Sequence, residues 1–344
     1  MAVGKLAMYL FLIVVATAAV FFYFSNRGAP PIEVTPETSK QLKKSAPPLS
    51  QDKATYFSFL EKSAISGGPP KDGIPSIDNP EYTSAAEADT WLSPRDVVFG
   101  VEYKGFVAAY PQRIVVWHEI VNEEIDGEKL SVTYCPLTGT TIGFKGEYAP
   151  DISAQFGVSG KLINSNLLMY DRQSDSYWPQ ILGTAITDPA KGIRLEEFPI
   201  VWTTWEKWKS AHPETLVLSR ETGFFRNYGE SGDPYGSYLR EDMGYYSSDR
   251  ILFRPTNEDN RLPPKEVVVG IRDKEGRAMA ILREKLRKER VIEVLLGDTP
   301  LIITYDDKLD FYEARIKETG EWINAFDAMW FAWVAFYPET ALLR

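Results

Sequence analysis

A tryptophan-bearing stretch occurs twice in this chain of 344 residues. Trp205-Glu-Lys-Trp208-Lys-Ser-Ala-His212-Pro213-Glu214-Thr215 matches Trp330-Phe-Ala-Trp333-Val-Ala-Phe-Tyr337-Pro338-Glu339-Thr340 at a constant offset of 125 positions. Upstream, 97–110 (VVFGVEYKGFVAAY) resembles 268–281 (VVGIRDKEGRAMAI), with Gly100 against Gly270. Leu130-Ser-Val-Thr-Tyr134 likewise resembles Leu301-Ile-Ile-Thr-Tyr305. Such a repeat is a strong constraint, because whatever one copy builds the other must also build. The expected organisation is two related modules from an internal duplication. Residues 51–220 form a first β-rich module and 260–344 a second, shorter one. Residues 221–259, rich in Gly, Tyr and Asp, connect them.

Runs such as VVFGVEY, FVAAY, RIVVWHEIV and KLSVTYC carry β-branched and aromatic residues between turn residues, which predicts strands. TTWEKWKSAH reads as a short helix ended by His212-Pro213. The expected fold class is α+β, mainly antiparallel β with short helices.

Composition removes several functions. Hydrophobic residues at 44% and charged residues at 25% are the proportions of a chain with a core. With 38 basic and 48 acidic residues the net charge is −10, which argues against nucleic acid as a partner. One cysteine, Cys135, allows neither an internal disulfide nor a four-cysteine zinc site. The two histidines, His118 and His212, are too far apart for an HExxH motif.

Residues 6–24 (LAMYLFLIVVATAAVFFYF) are free of charge, and a helix of this length reaches about 30 Å, roughly one hydrocarbon core. The segment 1–25 is therefore expected to be a transmembrane anchor, with the membrane as partner through 6–24. A cleaved signal peptide is the rival, but cleavage after Ala16-Thr17-Ala18 would leave AVFFYF at the new terminus. The proline-rich segment 26–50 reads as a tether. The expected location is a single-pass cell-membrane protein with an extracytoplasmic folded domain.

The stretch 113–141 carries the chemistry. Asp126-Gly127 is a type I′ hairpin signal, and a two-residue loop there puts His118 directly across from Cys135. Facing Cβ atoms lie about 5 Å apart, close enough for an imidazole to stabilise a thiolate. A thiolate is both a nucleophile and a metal ligand. Cys135 and His118 are thus the expected catalytic pair, with a depressed thiol pKa as its signature. With Met169 they are the expected ligands of a transition metal ion. Asn164, Asn166 and Asp171 are expected along the wall of that site. The repeat places Glu289 and Asp306 at the positions of His118 and Cys135, so the scaffold does not itself require the pair. A second function class is a non-catalytic binding or envelope-structure module that stacks partners on aromatic loops. Its expected contact residue is Tyr235, among Tyr228, Tyr238, Tyr245 and Tyr246.

Asp72-Gly-Ile-Pro75, His118-Glu-Ile-Val-Asn122, Val132-Thr-Tyr-Cys-Pro-Leu-Thr-Gly139, Asn164-Ser-Asn166 and Met169-Tyr-Asp-Arg172 follow in order. Together with Trp208, His212-Pro213 and Trp330-Phe-Ala-Trp333, they resemble the domain-of-unknown-function family 3179 over about residues 70–344. The resemblance implies an exported or membrane-anchored prokaryotic protein and carries no assigned activity. Family members often read CPLCG, whereas Thr138 stands here at the second cysteine, so no CxxC redox cycle is available.

Overall fold

The computed structural model of the chain describes residues 35–45, 50–238 and 244–344. Several of its hairpins close through two-residue turns with both central residues at positive φ. Asp126-Gly127 (50° and 76°) joins Ile120–Ile125 to Glu128–Cys135, and Asn164-Ser165 (55° and 62°) joins Phe156–Ile163 to Asn166–Asp171. Such turns carry the twist of the strands they connect.

These hairpins are completed by strands from elsewhere in the chain into five sheets. The first orders Ile65–Ser66, Phe156–Ile163, Asn166–Asp171 and Tyr177–Pro179. The second orders Glu197–Phe198, Thr140–Lys145, Glu128–Cys135 and Ile120–Ile125. The third holds Val201–Thr204, Val97–Tyr103, Phe106–Pro111, Leu216–Leu218 and Tyr82–Ser84. The fourth holds Ala325–Met329, Val267–Arg272, Ala278–Leu282 and Ala341–Leu343. The fifth holds Val291–Leu296, Thr299–Asp306, Phe311–Ile316 and Trp322–Ile323.

The architecture is a five-bladed β-propeller, with strand at 38% well ahead of helix at 17%. This corrects the expected α+β class and the expected pair of duplicated modules. Residues 51–220 supply three blades and 260–344 two. One hydrophobic cluster runs across that division, from Phe156 and Trp178 to Val268, Trp330 and Trp333. The matched tryptophans belong to a packing device used in two of the five blades. Trp208 lies on Gly100 and Trp333 on Gly270, so close that a Cβ at either glycine would come within 2.2 Å of the indole. The match in sequence records that contact and not a division of the chain into two modules.

A buried ion pair links two blades. Arg272 is 2% exposed and donates to both carboxylate oxygens of Glu197, at 2.9 and 3.1 Å, and to the Ile181 carbonyl at 2.8 Å. Glu197 also accepts from Asn324 at 2.6 Å.

Part of the expected tether is helical. Pro36–Ser45 forms a helix that buries Leu42 completely, and a second helix, Gln51–Lys62, is N-capped by Ser50. The expected anchor at 6–24 lies outside the described residues. Among the described residues no helix is long and apolar enough to cross a membrane. The expected single-pass placement and membrane partner rest on that segment and draw no support from the described residues.

Candidate functional site

The hairpin around Asp126-Gly127 has the expected register, with Ile125 opposite Glu128 and Ile120 opposite Thr133. The ladder ends there, two residues short of His118. Glu119 turns at φ 58°, its carbonyl accepts the Tyr134 N–H at 2.7 Å, and His118 leaves the sheet. The same turn recurs in the fifth blade, where Arg290 at φ 63° accepts from Tyr305 at 2.7 Å. The left-handed Glu119 is therefore a feature of blade construction.

His118 and Cys135 are fully buried in different hydrogen-bond environments. His118 Nδ1–H donates to the Pro75 carbonyl at 2.7 Å, and its Nε2 accepts from the Tyr228 hydroxyl at 2.6 Å. That hydroxyl also bonds Thr222 at 2.6 Å. Burial depresses the imidazole to about 4, against the opposing Pro75 bond and with a small push from Arg226. It is neutral, and both nitrogens are engaged. Cys135 Sγ accepts the Leu167 N–H at 3.3 Å and faces the Ser165 carbonyl at 3.6 Å. Burial, then the Glu119 carboxyl, pushes the thiol up to about 11. Burial alone raises Glu119 to about 8. These directions run opposite to the expected depressed thiol pKa, and no hydrogen bond joins Cys135 to His118 among the described residues.

The metal reading meets the same difficulty. Met169 is a core residue, paired across the first blade with Val158 and Trp178. Among the described residues no group of three or more His, Cys, Asp or Glu is placed to hold a metal ion. A donor set of Cys135, His118 and Met169 also fails on His118, whose Nε2 holds Tyr228.

The expected wall residues are structural. Asn164 accepts from the Thr256 N–H and hydroxyl at 2.8 and 2.9 Å and donates to the Ala335 carbonyl at 3.3 Å. Asn166 joins Gln180 at 2.9 Å and Thr138 at 3.1 Å, and accepts from the Ile181 N–H at 2.9 Å. Asp171 accepts from Tyr148 and Trp178, each at 2.9 Å, and from the Gln173 N–H at 3.0 Å.

The tyrosines of the connecting segment form a cover whose polar groups satisfy one another. Tyr238 stacks on Tyr246 with centroids 3.8 Å apart, and Tyr134 bonds Tyr238 at 2.9 Å. Tyr246 reaches Asp233 at 3.1 Å, and Asp233 accepts from Gln112 at 2.7 Å. Tyr235 packs edge-on against Tyr245 with its backbone N–H on Asp233 at 2.7 Å. Tyr235 is partly buried in this cover and does not stand out as a stacking platform.

The exposed aromatics of that segment lie elsewhere. Phe225 is 100% exposed and Phe224 40%. Phe225 borders a cleft of about 470 Å³ lined by Pro69, Ile74, Trp117, Phe225, Arg226 and Asn227. Trp117 Nε1–H donates to the Asn227 carbonyl at 3.1 Å, and the Arg226 guanidinium lies 5.9 Å from the Trp117 ring. Beneath the cleft, the His118 ring sits 5.4 Å from Phe224. The expected catalytic histidine thus props the loop that shapes the cleft. Sequence reasoning missed this groove. A usable signal was Gly223-Phe224-Phe225-Arg226, where two adjacent aromatics in a polar loop cannot easily both be buried.

Fold and groove together define a β-propeller with a sealed thiol and an open aromatic cleft beside Phe225. The chain belongs to the family described as Protein of unknown function (DUF3179), whose pattern it matches over residues 71–321. No curated protein and no solved structure matches it.

Proposed function

We propose that this protein is a non-catalytic binding module whose contact surface is the cleft between Trp117 and Phe225. The observation that carries the reading is the full exposure of Phe225 at the rim of that cleft. Covering such a ring is worth roughly 1.5–3 kcal/mol, and exposed apolar patches on folded domains mark contact surfaces. The competing thiol reading asks for an accessible thiolate. Cys135 is instead buried and protonated at neutral pH, in a core cluster that holds Tyr245 and against which Tyr235 packs.

The test is selection of random displayed dodecapeptides on the full chain, on Phe225→Ala and on Cys135→Ser. Enrichment that survives Cys135→Ser and disappears with Phe225→Ala supports the module. Enrichment that follows the thiol, or none that depends on Phe225, contradicts it.

A further inference from the structure

We infer that the occupant of this cleft is an acidic peptide segment in which a carboxylate lies beside an apolar side chain. This rests on the binding-module reading and adds the chemical class of the partner. The chain carries a net charge of −10, yet the only charged residue lining the cleft is Arg226. Among the described residues Arg226 has no ion-pair partner. Its Nη1 donates to the Phe225 carbonyl at 3.0 Å, and its guanidinium faces the Trp117 ring. A guanidinium has five donors in a fixed fork, so the remaining N–H groups match a carboxylate.

The rest of the lining selects against a saccharide. A sugar needs several hydrogen-bond partners, but both oxygens of Asn227 are already engaged. Asn227 accepts from Trp117 through its carbonyl and from the Gly229 N–H through its side chain at 3.0 Å. Apart from Arg226 and Asn227 the lining is apolar: Pro69, Ile74, the Trp117 ring and Phe225. An aliphatic or aromatic side chain fills such a cleft, and a neighbouring Asp, Glu or terminal carboxylate meets Arg226. The His118–Tyr228–Thr222 chain of hydrogen bonds holds the loop in place before a ligand arrives. Such preorganisation reduces the ordering cost of binding.

The decisive measurement takes the most enriched dodecapeptide from the selection above and determines its Kd by fluorescence anisotropy. Its Asn/Gln analogue and trigalacturonate are run beside it. Expected are an acidic residue within two positions of an apolar one, and at least tenfold weaker binding of the analogue. Arg226→Ala should cost at least tenfold and Arg226→Lys less, with thermal midpoints unchanged. Binding that needs Phe225 but ignores both Arg226 and the acidic residues overturns the acidic class while leaving the module standing. Tighter binding of trigalacturonate overturns the peptide class. Absence of any Phe225-dependent peptide removes the module and this inference together.

Discussion

His118 accepts the Tyr228 hydroxyl on Nε2 at 2.6 Å while its Nδ1–H donates to Pro75 at 2.7 Å. This arrangement fixes the tautomer and ties the 222–228 loop to the 75–77 segment. It makes His118 a loop anchor. His118→Phe should leave the Tyr228 hydroxyl without its acceptor and cost about 1–3 kcal/mol in urea unfolding. Tyr228→Phe should cost a similar amount, and the double variant less than the sum, because the two act through one bond.

Opposite pH slopes are expected from a buried imidazole and two buried carboxyls. The folded imidazole titrates at about 4, whereas an unfolded one takes up its proton near 6.5. The unfolded chain therefore binds the extra proton, and stability falls as pH drops from about 6.5 to 4. Glu119, raised to about 8, and Glu123, raised to about 7 by burial against its Tyr82 and Tyr110 bonds, act the other way. Their folded forms keep protons that the unfolded chain releases, so stability falls as pH rises from the ordinary carboxylate range toward 8. Between about pH 4.5 and 6.5 the two windows overlap and two carboxyls outweigh one imidazole, so urea midpoints between pH 4 and 9 should peak near the acid end and decline above it. Glu119→Gln should flatten the alkaline side and His118→Asn the acidic side.

Cys135 should be slow to react. With its thiol pushed up to about 11, the thiolate fraction at pH 8 is roughly two orders of magnitude below that of a free cysteine. Burial slows it further. Ellman's reagent should label the native protein at least a hundredfold more slowly than the urea-unfolded protein. Comparable rates would show an accessible thiol and would revive the catalytic reading.

The Arg272–Glu197 pair should matter more to stability than any surface ion pair. Glu197→Ala would leave a guanidinium buried without its carboxylate, at a cost of about 3–5 kcal/mol. The double variant Glu197→Leu/Arg272→Met should recover part of that loss, since the buried guanidinium is gone while Arg194, 3.5 Å from Glu197, still lacks its carboxylate. Urea unfolding of the three variants checks this.

Legibility in the sequence followed distance along the chain. The Asp126-Gly127 turn set its hairpin register because turn and strands are contiguous. The Cys135–His118 pairing drawn from that register failed at Glu119, where a single left-handed residue ended the ladder before His118. The propeller was hidden because its blades borrow strands from afar: Glu197 pairs with Phe144, Leu216 with Ala108 and Ala341 with Met279. Two conspicuous tryptophan contacts in two blades then looked like two modules. The cleft was the least legible feature. Its residues come from 69–74, 117 and 225–227, and nothing local marks them as neighbours.

The measurement that tests the account most directly is the Kd of a selected peptide for Phe225→Ala and for Cys135→Ser, against the unaltered chain. A binding surface at Phe225 should show at least tenfold weakening with Phe225→Ala and less than a twofold change with Cys135→Ser. The reverse pattern would place function at the buried thiol and contradict it.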